Sequence, residues 1–374
     1  MNIKNNTKYD FLIVGAGLFG ATCANLLYQK GYKVLVIDKR NHIAGNIYTE
    51  NIFGINVHVY GAHIFHTSNK EVWEYVNQFA TFNSFINSPL ANYHGKLFNL
   101  PFNMNTFVQI WPDVKTKEDA QHHINKEIEE ANIKEPNNLE EQAISMVGTS
   151  IYSTLIKEYT EKQWGKDCKD LPASIIKRIP VRFTYDNNYF NDIYQGIPIG
   201  GYTKLVERML EGISIELNSN YLSNKEYYDS LAKAIIYTGP IDEFFNYQLG
   251  ELEYRSLRFN IKILPIKSFQ NHAVINYTSH DVTYTRIIEH KFFEFGEQDN
   301  TVITEEYPDN YELGKERYYP INDIKNSNLY QQYFELSKSV KNVIFGGRLG
   351  LYKYLDMDDT IEEAFKLVDN LSAK

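Results

Sequence analysis

Three glycines and an acid near the start of the chain have the spacing that holds a diphosphate. Gly15, Gly17 and Gly20 follow the apolar run Phe11-Leu12-Ile13-Val14 and open a helical period through Ala21, Ala24, Leu27 and Tyr28, which Gly31 ends. A second apolar run, Val34–Ile37, closes on Asp38, 18 residues after Gly20. The order strand, glycine turn, helix, strand, acid is the βαβ unit that binds dinucleotides. Gly15 makes the turn, Gly17 lets backbone approach a pyrophosphate, and Gly20 brings helix and strand close. The helix N-terminus attracts the anion and Asp38 accepts from ribose hydroxyls. A glycine-rich turn without a ligand is the plain alternative, and the closing acid argues against it.

A second candidate lies at the far end of the chain. Phe345-Gly346-Gly347-Arg348 precedes Tyr354-Leu355-Asp356-Met357-Asp358-Asp359-Thr360, which runs into a helical period over 361–368. A helix starting there aims free N–H groups and its positive end at a bound group. A reduced flavin, negative near N1 and O2, would be stabilised by it. Asp356, Asp358 and Asp359 read equally as simple caps, and the two readings are compatible. After Asp38 the chain continues Lys39-Arg40-Asn41-His42-Ile43-Ala44-Gly45-Asn46. This is similar to FAD-binding oxidoreductases of the two-dinucleotide-domain type, where an acid, a basic residue and a glycine-rich turn follow the second strand. FAD is therefore expected rather than NAD.

These residues need elements to carry them. Between residues 70 and 175 the pattern turns helical and polar. Asn138, with Glu141 three residues on, has the shape of an N-cap, and Ala143, Met146, Val147, Ile151 and Leu155 keep a helical period with a break expected at Gly148. Residues 252–335 alternate instead: 273–277, 283–287 and 301–304 are rich in β-branched and aromatic types, which predicts an antiparallel sheet. Residues 234–238 before Gly239, and Val343–Phe345 before Gly346, read as short buried strands that return to the parallel sheet begun at the N-terminus. The expected fold class is α/β, with a discontinuous Rossmann-like FAD-binding domain (1–88, 199–247 and 340–374). Inserted in it are a helical lobe with a mobile lid (104–175) and an antiparallel β-sheet domain (89–103, 176–198 and 248–339).

Composition excludes several classes. A formal charge of −9 argues against a nucleic-acid partner, because phosphate-backbone affinity needs a basic footprint. An anionic ligand must then be met by local arginines. Cys23 and Cys168 make neither a disulfide framework nor a metal-binding spacing, so no metal is expected. No apolar run of roughly 18 residues and no signal-peptide pattern occurs, so a soluble, cytoplasmic protein without a membrane partner is expected. The 29 Tyr and 22 Phe accompany abundant Asn, Lys and Ile, so the count itself shows nothing about function.

Five blocks carry a specific resemblance. Tyr60-Gly61-Ala62-His63-Ile64-Phe65-His66-Thr67, Tyr159-Thr160-Glu161-Lys162-Gln163-Trp164-Gly165, Ile179-Pro180-Val181-Arg182-Phe183, Tyr284-Thr285-Arg286-Ile287-Ile288-Glu289-His290-Lys291 and the stretch from Arg348 through Asp358 resemble the signature blocks of bacterial UDP-galactopyranose mutases, in the family order and over nearly the whole chain. The resemblance implies a reduced-FAD-dependent isomerase that interconverts UDP-galactopyranose and UDP-galactofuranose through a flavin N5–sugar adduct, with UDP leaving and returning. It places catalytic arginines at Arg178 and Arg286, whose planar forks suit phosphate oxygens; on local sequence either could be a surface ion-pair residue. It places His63 and Ile64 beside the flavin, with Phe19, Lys39, Asn46, Arg348, Leu355, Met357 and Thr360 completing the cofactor site; His63 reads locally as a core histidine too. The substrate residues implied are Asn87, Leu155, Tyr159, Thr160, Trp164, Tyr189, Asn276, Tyr319 and Tyr354. Tyr159 would stack on uracil, and the Trp164 loop would close as a lid; aromatics at helical spacing can equally be core.

Ala44 stands where many relatives have glycine, and Leu155 where many have phenylalanine, which weakens its contact with the base. Relatives that use N-acetylgalactosamine tend to carry a basic residue beside the histidine, so the resemblance implies that Ala62, small and apolar, favours galactose. A mutase acting on the N-acetyl sugar or on both, an amine oxidase-like flavoenzyme, and a non-catalytic flavin- or nucleotide-binding module are the competing readings. The last two leave the paired arginines or the lid aromatics without a purpose. A homodimer is expected.

Overall fold

The computed structural model describes residues 8–176 and 179–372; Arg178 lies outside the described residues. Its first sheet is built from chain segments far apart in sequence. The strand Tyr9–Val14 lies at the centre, flanked by Ala232–Tyr237 and Val34–Ile37, with Val343–Phe345 and Ser214–Glu216 at the edges. Every pairing is parallel. Val34–Ile37 is buried at all four positions, as a strand covered on both faces must be. On one face, Ile13, Val36 and Ile236 pack against Ala21, Ala24 and Leu27 of the helix Leu18–Gln29 and against Ile361 and Ala364 of the helix Met357–Ser372. On the other, Leu12, Leu35 and Ile235 pack under Tyr221 and Tyr228.

Register sets the position of the first site. Val14 pairs with both Ile37 and Tyr237, so three strands end level, and Gly15, Asp38 and Thr238 emerge along one edge. Ligands of open parallel sheets bind outside the carboxyl ends of the strands.

The second sheet has seven strands, in the order Tyr319–Pro320, Tyr254–Leu264, Thr301–Asn310, Arg286–Glu289, Val274–Tyr277, Leu90–Tyr93 and Lys96–Asn99. It is antiparallel except where Val274–Tyr277 runs parallel to Leu90–Tyr93. Arg286 is in register with Asn276 on one side and Glu306 on the other, so the three form a cross-strand row. The strand expected over 283–287 begins only at Arg286. Thr285 still bonds to Glu306 and Tyr277 through its backbone, while the carbonyls of Val282 and Tyr284 accept from Lys162 rather than from a neighbouring strand.

Helices Met104–Ile110, Lys117–Ala131 and Leu139–Ile151 make a lobe with its own core around Phe107, Ile124, Ala143 and Val147. The Asn138 side chain caps the last of these, accepting from the Glu141 N–H at 2.9 Å. The expected break falls at Gly148, whose φ of 80° and ψ of 172° interrupt the helix. A wide π-turn, Tyr152–Ile156, follows and leads into the helix Lys157–Trp164.

Candidate functional site

A cavity of about 480 Å³ runs from the glycine turn, past the start of the C-terminal helix, to the cross-strand row at Arg286. That is the size range of small-molecule sites. At one end Gly15 has φ +110°, a conformation L side chains rarely adopt, and a Cβ there would lie 2.0 Å from Thr238 Oγ1. Gly20 would place a Cβ 2.0 Å from the Gly15 carbonyl, so the helix can pack this close only with glycine. Gly17 differs: a Cβ would find no protein atom nearer than 3.7 Å. Glycine at 17 answers no need of the protein's own packing and leaves open the face where a pyrophosphate would lie against the helix N-terminus. Asp38 closes this end, its two carboxylate oxygens accepting from the N–H groups of Ala16 at 2.7 Å and Arg40 at 2.8 Å. Lys39, Asn46 and Phe19 also line it.

In the middle, His63, Ile64, Leu355, Asp356, Met357 and Thr360 face the cavity together with Arg348. The His63 Nδ1 lies 2.8 Å from the Gly61 carbonyl. A carbonyl can only accept, so Nδ1 carries the proton and Nε2 is left as an acceptor. Burial pushes the imidazole down to about 4, with Arg348 and Arg286 acting in the same direction, so the ring is neutral near pH 7. Thr360 Oγ1 donates to the Asp356 carbonyl at 2.8 Å, closing the first turn of the C-terminal helix. Asp358 and Asp359 do not line the cavity. Asp358 is turned towards Thr67, and burial raises its carboxyl above the usual range.

At the far end Arg286 Nε donates to Asn276 Oδ1 at 3.0 Å, and its Nη1 lies 3.6 Å from Glu306 Oε2. The Glu306 carboxylate raises the guanidinium's proton affinity further, and Tyr159, Tyr319 and Tyr189 add to it. Arg348 lies beside the rings of Tyr319 and Tyr354, 6.0 and 5.8 Å from their centroids, and the two rings are 5.8 Å from each other. Burial raises both tyrosine hydroxyls, so they stay protonated as donors. Asn87 and Tyr189 complete this wall, linked by the Tyr189 N–H donating to the Asn87 carbonyl at 2.7 Å.

Four of the predicted substrate residues stand back from the cavity lining. Leu155 is buried with Ala91 and Phe98, Thr160 is buried, and Trp164 packs on the lobe core with Arg255 over its ring. Tyr159 also lies outside the lining, but its hydroxyl is against the Arg286 guanidinium.

The structure also brings in residues without an assigned role. Arg40 pairs with Glu316 at 2.5 Å and lies over the Tyr60 ring, bridging segments 276 positions apart. His66 hydrogen bonds through Nδ1 to Asp192 at 2.7 Å and stacks on Phe190 at 3.7 Å. His66 stands in a block singled out by its sequence, but its partners come from a loop more than a hundred residues away, so spacing carried no signal. Among the described residues no group of three or more His, Cys, Asp or Glu could hold a metal ion, and no helix is long and apolar enough to cross a membrane.

A glycine cradle at the carboxyl edge of a parallel sheet, a helix N-terminus facing the same cavity and a neutral histidine between them define a dinucleotide-dependent enzyme of the Rossmann-like class. Residues 13–79 match the family model of NAD(P)-binding Rossmann-like domains, and residues 154–354 match that of UDP-galactopyranose mutase. A probable UDP-galactopyranose mutase of Klebsiella pneumoniae is 43% identical over 99% of this chain and 95% of its own length. A dTDP-fucopyranose mutase of Escherichia coli is 38% identical over 95% of this chain and 96% of its own. The fold is that of a crystal structure of reduced UDP-galactopyranose mutase, with a TM-score of 0.73 at 13% identity over 98% of this chain and 96% of that one. The chain belongs to the UDP-galactopyranose mutase family, and its dinucleotide cofactor is FAD.

Proposed function

We propose that this protein interconverts the pyranose and furanose forms of UDP-galactose with reduced FAD bound. The observation that best supports the reading is Arg286: a permanently charged fork in the cavity wall, aimed by Asn276 and Glu306 and ringed by tyrosine hydroxyls. That set suits a diphosphate, which needs fixed charge and several O–H or N–H donors. Reduced FAD supplies, when bound, an electron-rich N5 able to take the anomeric carbon from its UDP leaving group without net redox change. Arg286, Tyr319 and Tyr354 would hold the departing diphosphate near the sugar, so that its return is an intramolecular event. His63, neutral, would accept a hydrogen bond at Nε2 beside the flavin. A second arginine, Arg178, is assigned to the diphosphate from the family match alone, and Tyr159 and Trp164 to the base and the lid in the same way.

In this reading residues 1–88, 199–247 and 340–374 carry the cofactor. The lobe 104–175 and the sheet residues 89–103, 176–198 and 248–339 close the substrate side, in a cytoplasmic homodimer. Ala62 lines the cavity and packs on an apolar cluster with Val274 and Phe293; the galactose preference assigned to it comes from the family resemblance alone, where users of the N-acetyl sugar tend to carry a basic residue. The deciding assay incubates dithionite-reduced holoprotein with UDP-galactofuranose and separates the sugar nucleotides. UDP-galactopyranose should accumulate; none formed by protein that retains FAD would overturn the proposal. Parallel incubations with UDP-N-acetylgalactofuranose and dTDP-fucofuranose rank the alternatives.

A further inference from the structure

The helix Lys157–Trp164 carries two faces with different duties. Glu158, Glu161 and Lys162 are three and four residues apart and share one face; Tyr159 and Gln163, four apart, share the next. The first face lies on the segment that joins the strands Val274–Tyr277 and Arg286–Glu289. Glu158 Oε2 accepts from the His280 backbone N–H at 2.6 Å, and Glu161 Oε2 meets His280 Nε2 at 3.0 Å. Lys162 makes the most concentrated contact. Its Nζ donates to the carbonyl oxygens of Tyr277 at 2.6 Å, Tyr284 at 3.0 Å and Val282 at 3.3 Å. An ammonium has three donors, and one turn of backbone engages all of them. On the second face Gln163 Nε2 donates to the Tyr159 hydroxyl at 3.2 Å, and Tyr159 lies against Arg286.

Two facts separate this from ordinary packing. Lys162 does not line the cavity, yet the turn it holds ends at Arg286, where the chain re-enters the sheet. The π-turn Tyr152–Ile156 stands immediately before the helix. Such a turn adds a residue to the helical repeat and rotates the next stretch of helix, which here brings Lys162 over the carbonyls and Tyr159 over Arg286 together.

We propose that Lys162 is a positioning residue of the substrate site: by clamping the helix to the turn before Arg286, it sets the spacing of Tyr159 and Arg286 for a nucleoside diphosphate. The inference rests on the nucleotide-sugar reading. Convergent carbonyls select an ammonium, since the planar fork of arginine cannot direct three N–H groups to one small concavity.

The test compares reduced holoenzymes. Lys162→Met keeps length and packing without donors; it should raise KM for the UDP-sugar and Kd for UDP about tenfold, the scale of losing charged hydrogen bonds. Its kcat should stay within about twofold, because no reacting group is touched. Lys162→Cys should show the same loss, and alkylation with 2-bromoethylamine, which rebuilds an ammonium of lysine length, should return Kd to within about threefold of the parent in proportion to the fraction alkylated. The native thiols Cys23 and Cys168 are buried, so they are shielded from the reagent. An unchanged Kd in both variants, a fall in kcat matching the rise in KM, or no recovery after alkylation would overturn the proposal. So would loss of FAD or of folded protein in both, which would make Lys162 a residue of the fold alone. Wild-type protein that neither binds UDP nor turns over would instead remove the parent reading.

Discussion

Arg286 owes its charge and its aim to different neighbours. Glu306 supports the charge from beside Nη1, while the Asn276 carboxamide accepts from Nε and orients the guanidinium in the cavity wall. Lysine would keep a charge but could not satisfy Asn276 and grip a phosphate at once. Arg286→Lys should therefore raise KM for the UDP-sugar by roughly 10- to 100-fold, the range of one or two charge-assisted hydrogen bonds, with FAD content unchanged; steady-state kinetics on the reduced enzyme check it. His63 makes a different prediction. Held down to about 4, it stays neutral from pH 5 to 8, so it contributes no inflection to the rate profile over that range. His63→Ala should slow turnover while FAD stays bound, and unchanged turnover would remove it from the mechanism. Features that depend on neighbours in sequence, such as the turn at Gly15 and the close helix packing at Gly20, were legible from the sequence. Arg40 with Glu316 and His66 with Asp192 were not, because each pair is made by folding distant segments together.

At the scale of the element, periodicity was most informative where a helix or strand answers only to its own sequence. The Asn138 cap and the Gly148 break were both readable, the first from side-chain chemistry and the second from glycine's backbone freedom. The π-turn was not, since Tyr152–Ile156 contains residue types that an ordinary helix holds as readily. The late start of the strand Arg286–Glu289 was not readable either: β-branched and aromatic residues favour extension, but the carbonyls of Val282 and Tyr284 accept from Lys162, more than a hundred residues away in the chain. This docking gives the helix end a measurable behaviour. Trp164 lies at its last residue, half-buried, with the loop from Gly165 beyond it. Movement of that loop on ligand binding should alter the indole's surroundings. UDP added to the holoprotein should change tryptophan fluorescence, and Trp164→Ala should abolish the change although Trp73 and Trp111 remain. A wild-type signal that does not respond to UDP would argue that the lobe is static.

The whole molecule joins a five-stranded parallel sheet to a seven-stranded one, and buried histidines lie where the second meets the strand Ile55–His58. The parallel sheet was foreseeable from short apolar runs ending in glycine, but nothing local marked His58 and His290 as partners. The His58 backbone N–H donates to His290 Nδ1 at 3.2 Å, His58 Nδ1 accepts from the His63 N–H at 3.1 Å, and His290 Nε2 reaches Thr304 Oγ1 at 2.7 Å. His58 stacks on Phe293, and its Nε2 is buried without a partner among the described residues. Protonating either ring would put charge where the surroundings are aromatic, so burial lowers both, His290 to about 3. In the unfolded chain a histidine titrates near 6.5. Below that pH the unfolded state binds a proton that folded His290 refuses, and stability falls by about 1.4 kcal/mol per pH unit until the folded value is reached. At pH 5 this amounts to about 2 kcal/mol from His290 alone. The unfolding free energy of the holoprotein, from urea titration, should therefore drop between pH 7 and 5, and that of His290→Gln, which cannot titrate, should drop by about 2 kcal/mol less. Equal drops in the two proteins would mean that His290 is already charged in the folded state, and that the junction between the sheets tolerates a cation its aromatic lining gives no reason to expect.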